Sequence, residues 1–91
     1  MLFMIIERFK GGDAAPVGAR FRQLGRMLPV DVVYVDSWVE TSGSSCFQIM
    51  EAPNRESLNP WIDRWKDLVD FEIIPVLTSR IFWSSDENRK G

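Results

Sequence analysis

Glu7, Asp36 and Gln48 are the polar side chains in this sequence best placed to do chemistry. Each interrupts an apolar, alternating stretch: Glu7 follows LFMII, Asp36 stands between Tyr34 and Trp38 in VVYVDSWVE at 32–40, and Gln48 lies within SCFQIME. Burial penalises the charged form of a carboxylate, so such a group has a raised pKa and could serve as a general acid or base. Two carboxylates sharing a site would push one pKa further up. Tyr34 and Trp38 would add aromatic walls and a polar handle. Glu7, Tyr34, Asp36, Trp38 and Gln48 therefore form a candidate binding set for a small apolar or aromatic molecule. The competing reading is structural: the same groups hydrogen-bond one another or a partner chain and fix its register.

Other chemistry is narrower. The chain has no histidine, which removes the commonest general base and metal ligand together. No acidic cluster has the spacing of a metal loop, and no cofactor motif is present, so neither a metal nor a cofactor is expected. Cys46 is the only cysteine. It can form no intrachain disulfide, and without an activating histidine it reads as an inert buried thiol. Trp61 and Trp65 lie one helical turn apart and read as core more than as a ligand wall. Arg20, Arg22 and Arg26 could bind an anion, but they spread around a helix and read first as solvated cations. No residue is assigned a catalytic role from spacing alone.

These residues need strands and helices to position them. Leu2–Phe9 is rich in β-branched and aromatic residues and stops at Gly11-Gly12, so it reads as the first strand. A helix over 13–28 follows, with Asp13 as N-cap, Pro16 in its first turn, and Val17, Phe21, Leu24 and Leu28 as its buried stripe. The second strand spans 32–40 and the third Ser45–Glu51, joined by a turn at Gly43. A second helix carries Leu58, Trp61, Ile62, Trp65, Leu68 and Val69 on one stripe. Pro60 allows two starts: Asn59 caps a late helix, or a helix from Asn54 kinks. The fourth strand covers 71–77, with Pro75 favouring a sheet edge. The expectation is one α+β domain over 1–79, of ferredoxin-like βαββαβ order, with an antiparallel sheet 4-1-3-2 and both helices on one face. Residues 80–91 then form a tail with an apolar knot at Ile81, Phe82 and Trp83 and a polar, disordered end.

Ninety-one residues with a net charge of −2 argue against nucleic acid or anionic membrane as electrostatic partners. The third strand also lacks the basic–Gly–aromatic pattern of an RNA-recognition sheet. No run approaches a membrane span, and MLFMIIERF lacks a basic leader and cleavage site, so a soluble cytoplasmic protein is expected. Helices roof one sheet face only, yet both faces are apolar. Alternation gives an aliphatic set, Leu2, Met4, Ile6, Val33, Val35, Val39, Phe47, Ile49, Phe71 and Ile73, assigned beneath the helices. The other set holds Phe3, Ile5, Glu7, Phe9, Tyr34, Asp36, Trp38, Cys46, Gln48, Met50, Glu72, Ile74 and Val76. Left in water it would exceed the patch a monomer usually exposes, so a homodimer through the face opposite the helices is expected. In that arrangement Phe82 and Trp83 clamp the partner.

Four segments in order, RFRQLGRMLP at 20–29, YVDSWVE at 34–40, CFQIME at 46–51 and WIDRWKDLVDFEIIPV at 61–76, resemble a small bacterial family known only as a domain of unknown function. The resemblance covers roughly residues 1–79. It is also similar to the wider dimeric α+β-barrel group, which includes cofactor-free monooxygenases and small isomerases. The resemblance implies a ferredoxin-like homodimer and no particular activity. An enzyme of that group, with Glu7 or Asp36 as base and Tyr34 as polar handle, is the alternative to a binding protein. The histidines used by several enzymes of the group are missing here.

Overall fold

The computed structural model of the chain describes residues 1–84. Four antiparallel strands, β1 (Leu2–Phe9), β2 (Val33–Val39), β3 (Ser45–Glu51) and β4 (Val69–Val76), lie in the order β2-β3-β1-β4. Read from its other edge this is the expected 4-1-3-2. Helix α1 (Ala15–Leu24) links β1 to β2, and α2 (Asn59–Trp65) links β3 to β4. The architecture is α+β. A short helix, α3 (Ser79–Ser84), follows β4 and carries the apolar knot of the expected tail, for which no regular element was expected. The expected disordered polar end lies, after Ser84, outside the described residues.

Local sequence explains the boundaries. Asp13 sits one residue before the cap position of α1 and still accepts a hydrogen bond from Ala15 N–H at 2.9 Å. Pro16 occupies the first turn, where its missing N–H costs nothing. The helix was expected to reach Leu28 but stops at Leu24, because Gly25 turns to φ 70°, ψ −161°. That region is essentially closed to residues with a Cβ. Asn54 caps a 3₁₀ turn, Arg55–Leu58, through Ser57 N–H at 2.9 Å. Leu58 then occupies the cap position of α2, with Pro60 in its first turn. Elements of both sequence alternatives thus coexist. Val69, placed on the helical stripe from sequence, instead begins β4. The turn before it is held by Arg20, whose guanidinium donates to both Asp67 oxygens at 2.8 and 2.7 Å and to the Arg64 carbonyl at 2.9 Å.

The core lies between helices and sheet, but the expected assignment of strand faces is reversed on β1 and β3. Phe3, Ile5, Glu7 and Phe9 of β1, and Cys46, Gln48 and Met50 of β3, are the buried side chains. They pack with Leu58, Trp61 and Trp65 of the α2 arm and with Val17 of α1. On β4, Phe71 and Ile73 do face the helices, but the register pairs them with Glu7 and Ile5 rather than with the aliphatic set. On β2 the register slips between Tyr34 and Asp36. Such a bulge adds one residue and changes the alternation. Tyr34, opposite Met50, turns toward the helices, and after the bulge Ser37 and Val39 do so. Asp36 and Trp38 turn away, opposite Ile49 and Phe47.

The uncovered face therefore carries Leu2, Met4, Ile6, Phe47, Ile49, Ile74, Val76 and Trp38. The premise that neither side suits water holds, with most of the two sets exchanged. Ile5 and Ile6 give the test. Ile5 is 0 % exposed, so Ile5→Ala should cost about 2–5 kcal/mol. Ile6→Ala, on the open face, should cost about 1 kcal/mol in the isolated chain. Urea unfolding of both variants at low protein concentration compares them; a larger loss at Ile6 would reverse the faces.

Candidate functional site

Under α1 and the segment after it lies a cavity of about 290 Å³. Its polar lining is Glu7, Cys46, Gln48, Ser37 and Arg26, and its apolar walls include Phe9, Val17, Phe21, Trp61, Trp65 and Val69. Phe21 and Val39, both well exposed, mark its open side. Gly18 contributes a stretch of helix with no side chain in the way. The polar groups arrive from four parts of the chain, Glu7 from β1, Ser37 from β2, Cys46 and Gln48 from β3 and Arg26 from the α1–β2 segment, so only the folded chain assembles the site.

Glu7 is 8 % exposed and Gln48 5 %. Gln48 Nε2 donates to Glu7 Oε2 at 2.6 Å. Burial pushes the Glu7 carboxyl up to about 7, against the opposing pull of the Arg26 charge and of the Gln48 hydrogen bond. At neutral pH the group is thus divided between acid and carboxylate and can take or give a proton. Cys46 behaves differently. Burial, reinforced by the Glu7 charge, holds its thiol at about 11. It is protonated at neutral pH and a poor nucleophile, in line with the inert reading.

Arg26 was read from sequence as one of several solvated cations. Its guanidinium instead lies 3.5 Å from the centre of the Tyr34 ring and 5.1 Å from that of Phe21. Its position follows from the backbone. Gly25 breaks the helix, Trp65 Nε1 donates to the Arg26 carbonyl at 3.0 Å, and Arg64 donates to the Met27 carbonyl. The segment is thereby tied to α2 while the Arg26 side chain crosses toward the sheet. Tyr34 is no hydrogen-bond partner of Glu7; its hydroxyl lies 2.6 Å from that of Ser37.

Of the five candidate residues, Glu7 and Gln48 meet in the cavity, and Tyr34 lies outside its lining, stacked on Arg26, which is part of it. Asp36 and Trp38 are on the opposite face. Asp36 accepts from the Ser37 N–H at 2.8 Å, which closes the bulge locally. Trp38 is 55 % exposed. Trp61 and Trp65 are core residues as expected and also wall the cavity. Among the described residues there is no His, Cys, Asp or Glu cluster able to hold a metal ion, and no helix long and apolar enough to cross a membrane.

A family model described as a domain of unknown function, DUF3303, matches residues 1–83. The chain belongs to that family, in agreement with the resemblance to an uncharacterised one. No curated protein and no solved structure matches the chain.

The buried carboxyl has a consequence for stability. Its folded pKa of about 7 lies above the ordinary value of 4.5, so between these two pH values the folded state binds more protons than the unfolded state. Stability conferred by the protonated form is full at low pH and falls as pH rises toward 7. The penalty at alkaline pH is on the order of 3 kcal/mol. Glu7→Gln should flatten the decline and leave the variant about 2–3 kcal/mol more stable than the parent near pH 8. Denaturant titrations across this range measure both slopes; parallel slopes would mean Glu7 is not the group responsible.

Proposed function

We propose that this DUF3303 domain binds a small apolar or aromatic molecule in the cavity between its helices and sheet, with Glu7 and Gln48 as the polar end. The observation that carries the reading is the buried Glu7 carboxyl, which faces a cavity instead of being packed over. Sites for small molecules have this character: mostly apolar walls with a few convergent polar groups. A filled core would have argued for a purely structural pair. Asp36 and Trp38, on the other face, take no part in this pocket.

A second reading is favoured by the same carboxyl. With a pKa of about 7, Glu7 is matched to general acid–base work at neutral pH. That is the chemistry a cofactor-free isomerase or monooxygenase would require, with Glu7 and not Asp36 as the base.

The chain is further proposed to act as a homodimer in the cytoplasm. Its uncovered sheet face is apolar at its centre, and Ile81, Phe82 and Trp83 of α3 are also exposed. Strands ~4.8 Å apart, with residues rising ~3.4 Å, give that face a footprint of roughly 450 Å². Two such faces bury on the order of 1,000 Å², near the lower bound for a stable pair. The α3 helices, laid on the partner, would enlarge it.

Both proposals have direct tests. Gly18 lines the cavity and has helical backbone, and a Cβ there would meet only the Arg22 guanidinium, at 3.4 Å. Gly18→Leu should fill the cavity and weaken naphthalene binding about tenfold or more, read from shifts of the Val17 and Val69 methyl resonances. Native mass spectrometry of the parent purified from its host should show a retained small molecule that the variant lacks. Equal binding by both chains would remove the cavity from consideration. For the dimer, Ile49→Glu puts a charge at the centre of the open face and should give a monomer in sedimentation at micromolar concentration; an unchanged mass would refute the proposed interface.

A further inference from the structure

Arg26 is a cation with its face occupied and its N–H edge unused. Ring stacking on Tyr34 and Phe21 holds the guanidinium in place. Such stacking satisfies the charge in part but takes up none of its hydrogen-bond donors. The side chain makes no hydrogen bond to protein among the described residues. Its charge acts on Glu7 and on Cys46 alike, so it lies within electrostatic reach of both. Glu7 has a complementary deficit: Gln48 donates to Oε2, and Oε1 has no hydrogen-bond partner among the described residues. The other polar groups that line the cavity are neutral, the Cys46 thiol and Gln48 of β3, Ser37 of β2 and the indoles of Trp61 and Trp65, while two further cations lie behind the wall, Arg20 at 5.4 Å from the Trp65 ring centre and Arg22 beside Gly18.

A cation short of an acceptor beside a carboxylate short of a donor defines what fits between them. A ligand carboxylate arrives already ionised, so it answers Arg26 but brings no proton to the Glu7 carboxylate. A hydrocarbon would leave Arg26 without an acceptor, and an ether would offer Arg26 an acceptor but Glu7 no proton. A weakly acidic hydroxyl satisfies both groups, and the rings of Phe9, Phe21, Trp61 and Trp65 suit a flat body attached to it. We propose that the ligand is a small phenol or enol, bound with its hydroxyl oxygen on Arg26 and its hydroxyl proton toward Glu7. The O–H bond breaks toward the Glu7 carboxylate, which becomes the acid. The electron pair stays on the ligand oxygen, and the resulting oxyanion pairs with the guanidinium. No oxidant, metal or cofactor enters this step. The inference rests on the reading of the cavity as a ligand site and names the class of molecule it takes.

The test uses 3-nitrophenol and its methyl ether, 3-nitroanisole, titrated into the full chain about one pH unit below the phenol's own ionisation, which is above that of Glu7, so that the Glu7 carboxylate predominates. Both should bind, the phenol about tenfold more tightly, and the visible phenolate band should appear on binding. Arg26→Met should abolish the band and the preference while leaving the ether's affinity within about twofold. The Trp65 contact is to the Arg26 backbone, so the substitution spares it, and retained ether binding certifies the fold. Arg26→Lys should restore part of the band. Equal binding of both compounds with no band would overturn the oxyanion pairing and leave the cavity reading intact. A band that survives Arg26→Met would also overturn it. Binding of neither compound would fail the cavity reading, and this inference with it.

Discussion

A carboxyl group buried between a sheet and its helices must find a hydrogen-bond partner or give up its charge, and Glu7 does some of both. Gln48, on the neighbouring strand, donates to one oxygen. The other faces a cavity, and burial moves the proton affinity to about 7. An unsatisfied polar group there would cost several kcal/mol in a chain whose total stability is of that order. The register that sets Glu7 opposite Cys46, and Gln48 opposite Ile5, is what lets the amide and the carboxyl meet diagonally across β1 and β3.

The roof over this pair depends on how α1 ends. Gly25 adopts a conformation that a Cβ would oppose, so the helix stops and the chain turns back over the sheet. Two side chains of α2, Trp65 and Arg64, then grip backbone carbonyls of the returning segment. At the other end of the roof Arg20 grips Asp67, lowering the carboxyl's pKa chiefly through its hydrogen bonds. These contacts tie the helical arms to each other without filling the space beneath them. The result is a short chain with a cavity that opens between α1 and the sheet, bordered by a divided carboxyl and a stacked cation.

The uncovered sheet face follows from the same geometry. Two helices of ten and seven residues can cover one side of four strands and no more. Leu2, Met4, Ile6, Phe47 and Ile49 are only half-buried on the other side. Small chains hide a modest fraction of their surface, and association is a common remedy. Cavity and open face lie on opposite sides of the sheet, so the two proposed roles do not compete for the same residues.

Element types were legible in the sequence because they depend on local chemistry. Alternating β-branched and aromatic residues, Gly11-Gly12, Gly43 and the prolines identify four strands and two helices and, with chain connectivity, the sheet order. Glu7 and Gln48 were legible too, since a polar residue inside an apolar strand stands out whichever way it points. The direction it points was not legible. Both faces are apolar, so hydrophobicity does not say which one the helices cover, and only packing against Trp61 and Trp65 decides it. The bulge after Tyr34 sent Asp36 and Trp38 away from Glu7, and one extra residue in a strand has no signature in alternation. Arg26 was missed because its place depends on the Gly25 turn, the Trp65 contact and the Tyr34 ring, which come together from distant positions only when the chain folds. The sequence by itself determined the four strands and the two helices between them and marked Glu7, Asp36 and Gln48 as polar groups within apolar strands; the tertiary structure decided that Glu7 and Gln48 are buried together in a cavity and Asp36 is not, because that depends on register and long-range packing and not on local pattern.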